Sequence, residues 1–149
     1  MPFIVFKLYY EAIFSPKAYS KLGNYSLTKY AQVLYTIELS HRLYKQNLPI
    51  TVNSFEPGMA KTSIAREDPL AIIFDSFMNT FLPFLLSSPR EGAMTAIWLA
   101  LSDEMKDKSG RVFGDGDEIP MGWCIERDVA KGEQQTLWTM CENLTNSTF

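Results

Sequence analysis

Side chains that bind metals or form disulfides are scarce in this sequence. Among 149 residues there is one histidine, His41, and there are two cysteines, Cys124 and Cys141. The two thiols are too few and too far apart for a disulfide framework or a zinc knuckle. The acidic segment at residues 114–117 lacks the closing glutamate of a calcium loop, so it predicts a tight turn instead. We therefore expect no metal site.

Clusters of basic residues are absent as well. The chain has 14 lysines and arginines against 17 aspartates and glutamates, which gives a net charge of −3. Binding to nucleic acid needs lysine and arginine concentrated on one surface, so we expect no nucleic-acid partner. The apolar start of the chain is interrupted at Lys7, too early for a signal peptide. We expect a protein that is cytoplasmic or is associated with a membrane, facing the endoplasmic reticulum.

Glycine is missing where a nucleotide-binding turn would need it. Gly23 is the only glycine before Gly58. The sequence therefore has no Gly-x-Gly-x-x-Gly turn between a strand and a helix, the motif whose backbone amides hold a pyrophosphate. We conclude that these 149 residues contain no recognisable binding motif for dinucleotide phosphates.

The chain does carry a tyrosine and a lysine at helical spacing. Of its seven tyrosines, only Tyr25 is followed by a lysine four residues later, at Lys29. Positions four apart are neighbours on one face of a helix. The ammonium stabilises the phenolate and lowers the pKa of the tyrosine, which suits Tyr25 for giving a proton to a carbonyl oxygen or taking one from an alcohol. Surface pairs of this kind are common, so the spacing alone also fits a purely structural role.

Periodicity and turn residues predict alternating helices and strands. A helix from about Asn24 to Gln46 precedes a strand at residues 50–55 and the Pro57–Gly58 turn. The later elements are a helix that starts within residues 87–91 and ends near Ser102, a final strand at 111–113 and a terminal helix at 129–143. This alternation of helices and strands indicates an α/β fold with a parallel sheet. Such sheets bind ligands beyond the carboxyl ends of their strands, where Pro57–Gly58 lies.

The segment Leu70–Leu86 is strongly apolar, and three interpretations of it stay open. Asp75, Asn79 and Pro83 interrupt it, and it is too short for a confident membrane span. It forms a buried or half-buried helix, an apolar lid over a lipophilic substrate, or a surface that touches a membrane.

Several segments together resemble the second half of a short-chain dehydrogenase/reductase, within the retinol-dehydrogenase-like branch of that superfamily. The first block consists of Tyr19–Leu22, Tyr25–Leu39, Ile50–Phe55 and Pro57–Thr62. The second block consists of Glu91–Thr95, Leu99–Glu104, Ser109–Phe113 and the pair Leu137 and Trp138. The order and spacing of these segments fit the family from about Ser15 onward.

The resemblance implies a single partial domain over residues 1–149. Residues 15–149 are similar to the C-terminal half of a Rossmann-like, doubly wound parallel sheet, and residues 1–14 are divergent. The N-terminal half that binds dinucleotide phosphates has no counterpart, and neither does the family's catalytic serine, which should lie a dozen or more residues before Tyr25. We therefore expect a fragment of an oxidoreductase that is inactive alone.

The resemblance also implies roles for individual residues. Tyr25 becomes the acid/base, and Lys29 lowers its pKa and hydrogen-bonds the nicotinamide ribose. Four further residues frame the nicotinamide end of NAD or NADP: Pro57, Gly58, Ala60 and Thr62. Ala60 stands where the family often has valine, which leaves a backbone contact intact. The implied substrate is a lipophilic alcohol, retinol- or steroid-like, and its carbonyl.

A function of a different class stays open beside the oxidoreductase. In the family, the helix that carries Tyr25 and the helix from Glu91 to Ser102 form dimers. The alternative is therefore a non-catalytic interaction module that associates with a full-length relative. Either reading allows a homo- or hetero-oligomer, and membrane contact is possible through Leu70–Leu86.

Overall fold

A computed structural model of the chain describes residues 20–58, 72–73, 76–77, 80–81 and 88–147. The helices with described bounds are α1 (Lys21–Lys45), α2 (Pro89–Leu101), α3 (Trp123–Ala130) and α4 (Glu133–Thr145). The strands are β1 (Ser54–Glu56), β2 (Val112–Gly114) and β3 (Asp117–Glu118). This mixture confirms the predicted α/β class. The chain divides into two compact units: unit 1 holds residues up to 54, 107–112 and those from 120 onward, and unit 2 holds 55–106 and 113–119.

Helix α1 is the longest element of unit 1. The hydroxyl of Ser20 caps it by accepting a hydrogen bond from the backbone amide of Gly23 at 3.4 Å. Arg42 and Lys45 lie in the last turn, where cations favour the helix dipole. The predicted helix between Asn24 or earlier and Gln46 is thus confirmed. The residues buried along it are Leu27, Leu34, Ile37, Glu38, Ser40 and Leu43.

Helices α3 and α4 supply the partners for this buried face. Leu27 and Leu34 form one core cluster with Leu137 of α4. The terminal helix predicted at residues 129–143 is confirmed from Glu133 onward as α4; its predicted start is wrong, because the chain leaves α3 and turns at Gly132, whose φ is 78°. Side chains other than glycine rarely adopt that conformation. Trp138 is buried, as expected for this segment.

Two segments of unit 1 run side by side in the same direction before they enter β1 and β2. The amide of Gly110 donates to the carbonyl of Val52 at 2.7 Å, and the amide of Ser54 donates to the carbonyl of Arg111 at 2.9 Å. Both partners advance together along the chain, which is the parallel arrangement predicted for these strands.

The strand predicted at residues 50–55 is confirmed only at its end, since β1 begins at Ser54. Asn53 explains the difference. Its side-chain amide donates to the carbonyl of Lys108 at 2.8 Å, and its side-chain oxygen accepts from the amide of Arg111 at 3.0 Å. The Asn53 side chain thus hydrogen-bonds a carbonyl and an amide that would pair with the backbone of the other strand in a regular ladder.

In unit 2, β2 and β3 form an antiparallel hairpin, with Phe113 opposite Glu118. Asp115 and Gly116 connect them with φ values of 51° and 85°. Two successive positive φ values are typical of the tight hairpin turn that matches strand twist. The predicted turn at residues 114–117 is therefore confirmed. The strand predicted at 111–113 is β2, which lies one residue later, and β3 follows it as the last described strand.

Helix α2 of unit 2 starts where the sequence predicts. The Ser88 hydroxyl accepts from the Glu91 amide at 3.2 Å, and the Glu91 carboxylate accepts from the Ser88 amide at 2.7 Å. This reciprocal capping box satisfies two amides that the helix itself leaves unpaired. Further along the helix, Trp98 meets Phe113 edge to face at 5.7 Å between ring centres.

The described residues of the apolar segment have helical backbone at 72–73, 76–77 and 80–81. Ile72, Ile73, Phe77 and Phe81 are between 47% and 65% exposed, so these four side chains fit the half-buried helix and exclude the buried one. The rings of Phe77 and Phe81 lie 4.9 Å apart, centre to centre. Within the described part of the chain, no helix is both long and apolar enough to cross a membrane. The lid and the membrane-contact surface stay predictions.

The burial of Leu34 predicts a large mutational effect. Leu34 is fully buried, whereas Leu144 of α4 is 60% exposed. We expect Leu34→Ala to lower the free energy of unfolding by about 2–5 kcal/mol, because it removes buried methyl groups and leaves a cavity. The matched Leu144→Ala variant should change it little. Urea unfolding followed by circular dichroism measures both, and equal effects of the two variants would contradict the described core.

Candidate active site

Tyr25 and Lys29 lie on the first turns of α1, outside its buried face. The Tyr25 side chain is 55% exposed. The ammonium nitrogen of Lys29 lies 5.7 Å from the centre of the Tyr25 ring, within reach of a cation–π attraction. Lys29 also donates a hydrogen bond to the side-chain oxygen of Gln32 at 3.4 Å. The structure therefore brings the phenol and the ammonium together at a surface open to a ligand.

The next residue, Tyr30, anchors this part of α1 to α3. Its hydroxyl donates to the Asp128 carboxylate at 2.7 Å and lies 3.3 Å from the carbonyl oxygen of Cys124. Asp128 is only 3% exposed. Arg127 donates to the other carboxylate oxygen of Asp128 at 2.8 Å. The buried carboxylate is thus satisfied from two sides, which a buried charge requires.

This arrangement perturbs the ionisation of its members. Burial, followed by the hydrogen bond to Asp128, raises the pKa of Tyr30 well above its usual range. Burial alone would raise the pKa of Asp128, but the hydrogen bonds from Arg127 and Tyr30 outweigh it, so that pKa lies below its usual value. Tyr30 is consequently a neutral donor and Asp128 a charged acceptor at neutral pH. The pair is a structural clasp between α1 and α3.

A second anchor joins α1 to α4. The Arg42 guanidinium donates to Glu38 at 2.9 Å and lies 4.5 Å from the centre of the Trp138 ring. Tyr35 stacks on the same indole at 4.6 Å between ring centres. One carboxylate oxygen of Glu38, Oε2, is buried and has no hydrogen-bond partner among the described residues. Charge and aromatic stacking thus hold α1 and α4 together beside the apolar core.

The other predicted site residues belong to unit 2 or lie outside the described residues. Pro57 and Gly58 follow β1 directly and are exposed. The φ of Gly58 is 67°, a conformation that glycine adopts without strain, as expected for this turn. Ala60 and Thr62 lie outside the described residues.

Two of the described residues offer hydrogen-bond donors of the kind that a nicotinamide ribose needs. Lys29 has three ammonium protons and Tyr25 an exposed hydroxyl, a donor set suited to a ribose and a substrate oxygen. No glycine-rich strand–turn–helix for the phosphates occurs in the sequence, where Gly23 is the only glycine before Gly58. Within the described residues, no group of three or more histidine, cysteine, aspartate or glutamate side chains is placed to hold a metal ion.

Sequence reasoning missed both anchors of α1. Tyr30 and Asp128 are 98 positions apart, so no local pattern predicts their pairing. Glu38 and Arg42 have the i,i+4 spacing of a helical ion pair, and that signal could have been found.

No protein-family model matches the chain, but it is similar to several short-chain dehydrogenases/reductases. The chain is similar to retinol dehydrogenases, which confirms the resemblance seen in the sequence. With retinol dehydrogenase 14 of Mus musculus it is 32% identical over 133 residues, which cover 89% of this chain and 38% of that protein.

Two further relatives agree. Retinol dehydrogenase 13 of Mus musculus is 35% identical over 126 residues, with 83% of this chain and 36% of that protein covered. The short-chain dehydrogenase TIC 32 A, chloroplastic, of Brassica napus is 29% identical over 139 residues, with 93% and 41% covered. The chain therefore spans about two fifths of the length of the curated relatives that it matches.

The Tyr30–Asp128 hydrogen bond predicts a pH-dependent effect. We expect Tyr30→Phe to lower the free energy of unfolding at neutral pH by about 1–3 kcal/mol, because it removes a donor from a buried carboxylate. The lowered pKa of Asp128 stabilises the fold above the pKa of an unfolded aspartate, and this contribution is lost as pH falls through the folded value. Without the Tyr30 hydroxyl, that folded pKa rises toward the unfolded value, so the loss is smaller and is complete at a higher pH.

Urea unfolding over a range of acidic and neutral pH measures this shift. Tyr44→Phe is the matched control, because Tyr44 lies on the same helix and is 83% exposed. If Tyr30→Phe and Tyr44→Phe had the same free energy of unfolding at every pH, the stabilising role of the Tyr30–Asp128 hydrogen bond would be contradicted.

Proposed function

We propose that this chain contributes the nicotinamide side of a short-chain dehydrogenase/reductase that interconverts a lipophilic alcohol, retinol- or steroid-like, and its carbonyl. In this proposal it corresponds to the C-terminal half of a Rossmann-like sheet. The observation that carries the proposal is the approach of the Lys29 ammonium to within 5.7 Å of the Tyr25 ring on an exposed helix face. The similarity to proteins named retinol dehydrogenases supports it.

Tyr25 is the acid/base in this proposal. Its hydroxyl gives a proton to the substrate carbonyl oxygen during reduction, and its phenolate takes the proton of the alcohol during oxidation. Exposure of the Tyr25 side chain leaves the oxygen accessible to a substrate. NAD or NADP, when bound, supplies or accepts the hydride.

Lys29 has two tasks. Its positive charge favours the phenolate of Tyr25 over the neutral phenol, and its remaining protons bond the nicotinamide ribose. Pro57, Gly58, Ala60 and Thr62 frame the nicotinamide in the same proposal. The positive φ of Gly58 at the end of β1 supports a close backbone approach there. We infer that the chain needs a phosphate-binding half, supplied elsewhere, before it can turn over substrate.

A second candidate function is a non-catalytic module that associates with a full-length relative. An exposed apolar stripe on α2 favours it: Met94, Ile97 and Leu101 are 55%, 48% and 78% exposed. Their spacing of three and four residues puts them on one face of the helix. Exposed apolar stripes of this kind mark protein–protein contacts.

Substitutions at the Tyr25–Lys29 pair test the proposed chemistry. This chain can replace the matching 133-residue region of mouse retinol dehydrogenase 14, which supplies the remainder of the protein. We expect the chimaera to oxidise retinol with a dinucleotide. Tyr25→Phe and Lys29→Met should lower kcat/KM about 10²–10⁴-fold, because they remove the proton carrier and the charge that favours its ionised form.

The matched controls are Tyr44→Phe and Lys45→Met, two exposed positions at the far end of the same helix. These controls should leave kcat/KM unchanged, and the unfused 149-residue chain should show no turnover. An active chimaera that tolerates Tyr25→Phe would refute the assignment of the acid/base.

A further inference from the structure

Unit 1 contains a cleft that the proposed chemistry does not use. Its volume is about 440 Å³, within the range of small-molecule sites. The apolar part of its lining includes Ile37 of α1, Val129 of α3 and Met121, which precedes α3. Such sites are mostly apolar and carry a few polar groups that fix the orientation of the ligand. Three polar side chains, Ser40, His41 and Glu126, also line the cleft, so their chemistry decides what it can bind.

Ser40 provides a hydrogen-bond acceptor. Its hydroxyl is buried and donates its proton to the hydroxyl of Ser109 at 2.8 Å. Ser109 is fixed in turn, because its oxygen accepts from the amide of Val52 at 3.0 Å. A hydroxyl has one proton and two acceptor sites. The Ser40 hydroxyl therefore uses its proton within the protein, and its oxygen can accept a hydrogen bond from a ligand.

Gly110 keeps this acceptor accessible. Its φ is 74°, and a Cβ atom at this position would lie 3.1 Å from the hydroxyl oxygen of Ser40. Any larger residue at position 110 would crowd the Ser40 hydroxyl and strain the backbone. Gly110 and the hydrogen-bonded hydroxyls of Ser40 and Ser109 together form the polar part of the lining.

The charge of the lining is negative. Glu126 is its carboxylate, and neither lysine nor arginine lines the cleft. Among the described residues, none forms a hydrogen bond or an ion pair with the Glu126 side chain. His41 is the other ionisable residue of the lining. A hydroxyl that accepts hydrogen bonds and a carboxylate in the same lining favour a ligand that donates hydrogen bonds and carries positive charge.

We propose that this cleft binds a small organic cation that joins an apolar ring to a primary ammonium group. The ring packs against Ile37, Met121 and Val129, and the ammonium donates to the Ser40 oxygen and to Glu126. This site is separate from Tyr25 and Lys29, and it does not depend on the proposed oxidoreductase chemistry.

Three probes of the same size test the site on the full 149-residue chain. Benzylamine, benzyl alcohol and benzoate differ only in the group attached to the ring. In an NMR titration of the isotope-labelled chain, benzylamine should shift the amide signals of Gly110 and Met121 in a saturable manner. Benzyl alcohol should bind more weakly, and benzoate should not bind. Binding of benzoate as tight as that of benzylamine, or the absence of saturable shifts, would overturn the proposal.

Two conservative variants locate the charge. Glu126→Gln should weaken benzylamine binding about fivefold, the effect of losing an exposed ion pair. Glu104→Gln, which removes an exposed carboxylate outside the lining, should leave the affinity unchanged. Equal effects of the two variants would show a non-specific charge effect and would overturn the site.

Discussion

The constraint on which unit 1 depends is the burial of one face of α1. Leu34 is fully buried in a cluster with Leu137 of α4, and the hydroxyl of Tyr30 holds α3 through the buried Asp128. Apolar burial supplies the non-directional part of this packing, and the hydrogen bond to a charged carboxylate fixes its register. Because the core uses one face of the helix, Lys29 and its tyrosine partner remain on another face, exposed to a ligand.

Local signals in the sequence predicted local structure well. Ser88 and Glu91 have the spacing of a capping box, and α2 starts there; Asp115 and Gly116 predicted a turn, and they connect β2 to β3. Long-range features could not be predicted in this way. The partner of Tyr30 is 98 residues away, and only the folded backbone decides which carboxylate meets the hydroxyl.

Both corrected elements show how a single residue overrides a regular pattern. Asn53 has a side chain that can replace backbone groups, and it delays the start of β1 to Ser54. Gly132 adopts a positive φ and divides a predicted helix into two. The proximity of Tyr25 and Lys29 was more predictable than the fold around them, because a helix converts a spacing of four residues directly into proximity.

Dinucleotide binding tests the central claim, that the Tyr25–Lys29 surface is the nicotinamide side of an oxidoreductase. Because the sequence has no glycine-rich turn for the phosphates, thermal unfolding should be measured on the chimaera with mouse retinol dehydrogenase 14, with and without NADH or NADPH and with and without Lys29→Met. A bound dinucleotide at ten times its Kd stabilises the folded protein by about 1.4 kcal/mol. The account predicts that dinucleotide raises the Tm of the chimaera and that Lys29→Met reduces this rise. An equal rise in both proteins would contradict it.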